Sequence, residues 1–208
     1  MKYGQDYYEG GKSNYGLLGG YNGPVLRFCR LWVYRKAMSI LKKHKPSGRL
    51  LDMGCAYGFW AGFSGSRGFD PSGCDISCFA VGRARERFPD IDFHEKDIEG
   101  GLGFSNSEFD VVTAFDVLEH CRYLDYVLSE TRRVLKSDGV LLVSVPDTDF
   151  FSREKDRDDS HVWYMNLDGW EGVFRRNGFR VLGSWVFPSL LKRARPRWTV
   201  RFILLGQD

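Results

Sequence analysis

The run Leu50-Leu51-Asp52-Met53-Gly54-Cys55-Ala56-Tyr57-Gly58 constrains this chain more than any other stretch. It reads as a short apolar strand, an acidic residue, a tight glycine turn and the start of a helix. Gly54, Ala56 and Gly58 put little in the way of a ligand, so the backbone there can approach one closely. Twenty-one residues beyond Gly54 stands Asp75, at the end of a second strand read over residues 73–76. In doubly wound α/β folds an acid in that place hydrogen-bonds the ribose hydroxyls of a nucleoside-bearing cofactor.

The turn is not of the dinucleotide type. G-x-G-x-x-G needs three glycines to admit a pyrophosphate, and this chain has G-x-A-x-G with Asp52 just before it. A carboxylate at the mouth of the turn repels a pyrophosphate and attracts an ammonium or sulfonium group. The three-glycine fingerprint of nicotinamide-dependent oxidoreductases is missing. The sequence resembles motif I of the class I S-adenosylmethionine-dependent methyltransferases, D-x-G-x-G-x-G, with Ala56 replacing the middle glycine.

Further segments match that family in order. Residues 92–97 read as a third strand ending in Asp97. The run Phe109 to Phe115 reads as a fourth strand, continued by Asp116-Val117-Leu118-Glu119-His120, and residues 139–145 as a fifth. The near-continuous apolar run of the fourth fits a strand buried on both faces. The resemblance covers residues 48–206, and the D-V-L-E-H wording is similar to the type 11/type 23 branch, which includes ubiquinone- and menaquinone-biosynthesis enzymes. It implies an α/β fold: a single Rossmann-like, doubly wound domain with helices on both faces. The implied sheet has seven mostly parallel strands in the order 3-2-1-4-5-7-6, with strand seven antiparallel. It also implies S-adenosyl-L-methionine as cofactor, held by Asp52, Gly54, Ala56 and Gly58 of the turn. Asp75 and Ile76 would meet the ribose end, Asp97 and Ile98 the adenine, and Phe115 and Asp116 the far wall.

At 208 residues the chain is expected to form one domain with a sizeable core. It is 43% hydrophobic and 27% charged, an ordinary globular balance. A net charge of +3 is too small to argue for nucleic acid as a partner. No apolar run approaches the ~20 residues that span a bilayer. The five cysteines include no C-x-x-C and read as reduced thiols of a cytoplasmic protein. A monomer or homodimer is expected.

Residues 1–24 are rich in Gly and Tyr and poor helix material, a lid or a tail before a methyltransferase domain at 25–208. Tyrosines pair an apolar ring with a polar tip, which suits a surface closing over a ligand. Pro24 to His44 carries a helical pattern. The glycines after Gly58 predict a short or irregular helix. Helices are read at residues 77–88, 122–135 and 167–177, and two final strands, paired antiparallel, at 181–187 and 199–205. The connection between those strands is basic, with Lys192, Arg193, Arg195, Arg197 and Trp198.

Methyl transfer from a sulfonium needs chiefly alignment and exclusion of water, so the sequence hides its acceptor. His120 stands at the exit of the fourth strand, where an imidazole can take a proton from a hydroxyl or amine. His161 falls in a region that the family uses for the acceptor pocket. These two are the candidate catalytic residues, with packing and loop anchoring as the plainer reading. No metal is required. A less favoured alternative rests on the i, i+3, i+4 spacing of Asp116, Glu119 and His120, which with His161 would make a divalent-metal set.

The expected activity is methylation of oxygen, nitrogen or carbon in a small-molecule acceptor. The alternatives are an RNA or protein methyltransferase, favoured by the basic stretch at 192–201, and a catalytically silent cofactor-binding or scaffold domain.

Overall fold

The structure is a computed structural model that describes residues 3–10, 21–149, 159–187 and 200–208. The basic stretch around Lys192–Trp198, most of the charged loop after residue 147 and residues 11–20 of the N-terminal segment lie outside the described residues.

Pro24 begins helix α2 (Pro24–His44), following a single turn α1 (Gln5–Tyr8). Proline suits a first helical position because its missing N–H has no intrahelical partner there. Lys42, Lys43 and His44 in the last turn complement the partial negative charge of the helix end. Strand β1 (Gly48–Met53) leads into α3 (Phe59–Gly65), then β2 (Phe69–Asp75), α4 (Cys78–Arg87) and β3 (Asp92–Glu95). Ser77 caps α4 by accepting from the Ala80 N–H at 3.2 Å. Strand β4 (Phe109–Phe115), α5 (Leu124–Val134), β5 (Leu135–Val145), α6 (Leu167–Arg176), β6 (Phe179–Phe187) and β7 (Val200–Gln207) complete the chain.

The strands form one sheet in the order β3-β2-β1-β4-β5-β7-β6. The first five are parallel neighbours, and β7 runs antiparallel between β5 and β6. Alternate residues feed the two faces. Leu50, Leu142 and Leu204 pack against Ala37 and Leu41 of α2 and Trp60 of α3. Leu51, Leu141 and Leu205 pack on the other side with Val127 and Leu128 of α5 and Trp170 and Phe174 of α6. This is the layered α/β architecture expected of the sequence.

Two strands begin four residues earlier than their sequence pattern. β2 opens at Phe69, four residues before the expected start, because Phe69 and Asp70 pair with Gly48 and Arg49 of β1. β5 opens at Leu135, which pairs with Phe109 across an irregularity in β4. In both cases a neighbouring strand supplies ladder partners that the residues' own pattern does not announce. Helix α3 is only seven residues long, as its glycines foretold.

The order of strands reverses between β1 and β4. Their carboxyl ends therefore diverge and leave a crevice, the place where ligands bind in open α/β sheets.

Candidate active site

A cavity of about 140 Å³ opens at that crevice. Gly54 and Ala56 line it from the β1 turn, Asp75 and Ile76 from the end of β2, and Asp97 and Ile98 from the end of β3. Phe115, Asp116 and His120 close the far side, after β4. Nine of the residues singled out from the sequence thus meet in one cavity.

The turn is shaped by backbone that ordinary side chains resist. Gly54 has φ +72°, and a Cβ there would come within 2.2 Å of Val117 Cγ2. Ala56 adopts φ +46°, a left-handed conformation that L-residues hold at a cost of about 1–2 kcal/mol. What holds it there is Asp75. Its carboxylate accepts from the Ala56 N–H at 2.9 Å and from the Ser77 N–H at 2.9 Å. The Tyr8 hydroxyl donates to the same group. Burial nonetheless raises the Asp75 pKa above its usual value, the desolvation outweighing these three donors.

Three expected site residues stand behind the cavity wall. Gly58 keeps α3 close to β3, since a Cβ there would strike the Phe93 ring at 2.6 Å. Asp52 is 3% exposed and points into the sheet, where Thr113 Oγ1 donates to it at 3.1 Å. Trp60 Nε1 in turn donates to Thr113 Oγ1 at 3.0 Å. Burial pushes the Asp52 carboxyl up to about 8, the desolvation outweighing the hydrogen bond from Thr113. His161 lies behind His120, their ring centroids 4.6 Å apart.

Asp97 is partly committed to structure, because its Oδ1 accepts from the Glu99 N–H at 2.9 Å and caps a short 3-10 turn, Ile98–Gly100. Asp116 takes φ +55°, which aspartate tolerates better than most residues. Ser144 Oγ donates to its carboxylate at 2.8 Å. The 3-10 turn Leu118–His120 starts after it, so Asp116 does not share a helical face with Glu119 and His120. The set that comes together among the described residues is Glu119, His120 and His161, whose ligand atoms lie within 4.8 Å of one another.

Rings from the N-terminal segment complete the cavity: Tyr3, Tyr7, Tyr8 and Tyr21 all line it. Tyr7 and Tyr8 are buried and meet edge to face at 5.3 Å. Tyr57 Oη donates to Glu9 at 3.1 Å, and Arg30 stacks on Tyr21 and Phe59. The sequence reading did not single out Lys96, Glu99, Val117 or Cys121, which also line the cavity. Each adjoins a residue that it did, so extending every strand-end motif by one or two positions would have found them.

These residues fit S-adenosylmethionine. A carboxylate stands at each of two strand ends, with Ile76 and Ile98 beside them, and a glycine turn leaves room for close approach. The chain matches the methyltransferase-domain family over residues 19–183 and belongs to it. A probable S-adenosylmethionine-dependent methyltransferase of Mycolicibacterium smegmatis is 32% identical over 66% of this chain and 54% of its own, so the match spans about half that relative's length. A solved protein of Pyrococcus horikoshii superimposes with TM-score 0.70 at 19% identity, covering 95% of both chains. The Burkholderia thailandensis 1,6-didemethyltoxoflavin N1-methyltransferase, solved with that compound and S-adenosylhomocysteine, superimposes with TM-score 0.66. Its identity is 16%, with 86% of this chain and 81% of that one covered. The protein is thus a class I methyltransferase of the type 11/23 kind, with S-adenosylmethionine as cofactor.

Among the described residues no helix is long and apolar enough to cross a membrane, and all five cysteines are free thiols.

Proposed function

We propose that this chain transfers the methyl group of S-adenosylmethionine to a small-molecule acceptor. The acceptor enters beside His120, which lines that side of the cavity with His161 behind it. The observation that carries this reading is the roof of tyrosines. Four rings from the N-terminal segment lie over the cavity, which favours a small acceptor and exclusion of water over an open face for a macromolecule. The Burkholderia neighbour's bound 1,6-didemethyltoxoflavin supports the same reading by analogy of fold.

When bound, S-adenosylmethionine supplies the methyl group. The chain's contribution is to orient and to exclude. Asp75 and Asp97 offer carboxylates to hydroxyl and amine donors, Ile76 and Ile98 offer apolar surface, and the Gly54 turn lets backbone close on the ligand. Holding the reacting atoms in line is worth about 7–11 kcal/mol in favourable cases, so little further chemistry is demanded of side chains.

Calorimetric titration with S-adenosylmethionine, S-adenosylhomocysteine and NAD tests the first part. Micromolar binding of the first two and none of NAD is expected. A mass-spectrometric screen of small phenols, alcohols and amines for a gain of one methyl group tests the second. Cofactor binding with methylation of RNA or protein alone would refute the small-molecule reading.

A further inference from the structure

We infer that the outward face of α2 docks on the surface of a bilayer rich in anionic lipid and holds the mouth of the cavity near that surface. The inference stands apart from the choice of methyl acceptor.

Phe28, Leu31, Trp32 and Arg35 recur at i, i+3, i+4 and i+7, which places them on one face of α2. The opposite face carries Ala37, Ile40 and Leu41, which pack on the sheet. The helix is thus apolar on both sides, and only one side has the core to cover it. Phe28 remains 67% exposed and Leu31 40%. Trp32 is half-buried beside them, with Lys36 Nζ 5.9 Å from its ring centroid. Large apolar side chains gathered on one exposed helix face mark an interaction surface, whereas the same residues scattered singly would not.

Charge says what that surface meets. Pro24–His44 contains Arg27, Arg30, Arg35, Lys36, Lys42 and Lys43 and no acidic residue. Arg30 is committed to the fold, donating to the Tyr21 carbonyl at 2.5 Å and stacking on Phe59. Lys42 donates to the Arg67 carbonyl at 2.6 Å. Arg27, Arg35, Lys36 and Lys43 are exposed, and among the described residues none of them forms an ion pair. Apolar groups rimmed by unpaired cations match a layer of anionic headgroups over acyl chains. The cations meet phosphates, their stems lie along apolar surface, and Phe28, Leu31 and Trp32 enter the interface. A helix of this kind lies in the interface and does not cross it. A second copy of the chain is a poor partner, since a symmetric contact would set these cations against their own counterparts. RNA would meet the same cations but offers Leu31 no apolar layer to enter.

The fold sets where this face lies. α2 runs from the carboxyl end of the sheet, where Tyr21 lines the cavity, to the amino end, where Lys45 meets Asp138 near the start of β5. Phe28 and Leu31 belong to the half of α2 nearer the cavity, and Arg30 ties that half to the roof of tyrosines through Tyr21. The docking face and the mouth of the cavity are therefore at the same end of the molecule.

The test is sedimentation of the full chain with vesicles of phosphatidylcholine alone and of phosphatidylcholine mixed equally with phosphatidylglycerol. Binding to the mixed vesicles should be tighter by about tenfold or more and should fall as salt rises, because screening weakens attraction to a charged surface. The double variant Phe28→Ser/Leu31→Ser should bind mixed vesicles about tenfold more weakly, and so should Arg35→Gln/Lys36→Gln. Both should keep S-adenosylhomocysteine affinity within about twofold, since none of the four residues lines the cavity. Wild-type protein with no preference for the mixed vesicles would overturn the inference. So would double variants that bind vesicles as the wild type does. Single-stranded RNA bound through the same residues, with vesicles left unbound, would overturn it in favour of nucleic acid. A dimer that both variants dissociate, again with vesicles unbound, would overturn it in favour of a second copy. The methyltransferase reading survives each of these results, and failure to bind S-adenosylhomocysteine would count against that reading alone.

Discussion

The carboxylate of Asp75 accepts a hydrogen bond from the backbone N–H of Ala56 at 2.9 Å, although 19 residues separate them in the chain. One acid therefore does two things: it holds the turn after β1 in its left-handed shape, and it faces the cavity where a ribose would lie. Asp75→Ala should weaken S-adenosylmethionine binding at least tenfold, on the order of the 1.5–3 kcal/mol of a charge-assisted hydrogen bond. Calorimetry reads the affinity, and a thermal melt of the same sample reads what the turn itself loses. Unchanged affinity in a folded variant would remove Asp75 from the binding site.

Ala56 holds φ +46° where the family pattern has glycine. Ala56→Gly removes a strain of about 1–2 kcal/mol and adds an unfolded-state entropy cost of about 0.5–1 kcal/mol. A net gain of about 0.5 kcal/mol in unfolding free energy is expected, read from urea denaturation at constant m-value. A loss would mean that the alanine methyl packs better than its backbone suffers.

Asp52 gives a prediction in pH. Its folded pKa, raised to about 8, lies well above the unfolded value of 3.8. The native state therefore keeps a proton that the unfolded state has lost, and stability falls as pH rises from about 4 to 8. The limit for one such group is about 1.4 kcal/mol per pH unit. Asp75 and Asp116, both raised by burial, add to the same slope. Asp52→Asn keeps an acceptor for Thr113 and should flatten the dependence between pH 5 and 8, measured by denaturant melts at each pH. A slope equal to that of the wild type would show that Asp52 is not the group responsible.

The tyrosine roof gives a kinetic prediction. We propose that residues 1–22 act as a lid, so their deletion should speed S-adenosylhomocysteine dissociation roughly tenfold, equivalent to about 1.4 kcal/mol. Stopped-flow displacement reads the rate. An unaltered rate would make the segment a packed tail.

Trp170 of α6 is completely buried and donates from Nε1 to the Pro146 carbonyl at 3.0 Å. Trp170→Ala should cost about 3–5 kcal/mol of stability, through lost packing and an orphaned carbonyl. Chemical denaturation checks it, and a cost under about 1 kcal/mol would mean that the core collapses into the space.

What the sequence by itself determined is the scaffold and one wall of the site. The apolar runs at residues 50–53 and 109–115, the glycine turn after the first and the acids Asp75 and Asp97 are local signals. Each strand-end residue is carried to the crevice by topology alone, whatever its side chain then does. What only the tertiary structure decided are the contacts between distant stretches. Asp52 reads as a ligand-facing acid beside its glycines, yet Thr113, brought alongside by β4, holds it inside the sheet. Asp116 reads as part of one helical face with Glu119 and His120, yet its left-handed backbone separates it from them. Ser160 reaches His120 across 40 residues of chain, and His161 follows it in. Periodicity encodes which face of an element is apolar. It does not encode which loop is stitched to which turn, because those hydrogen bonds form only after the sheet has set the distance between them.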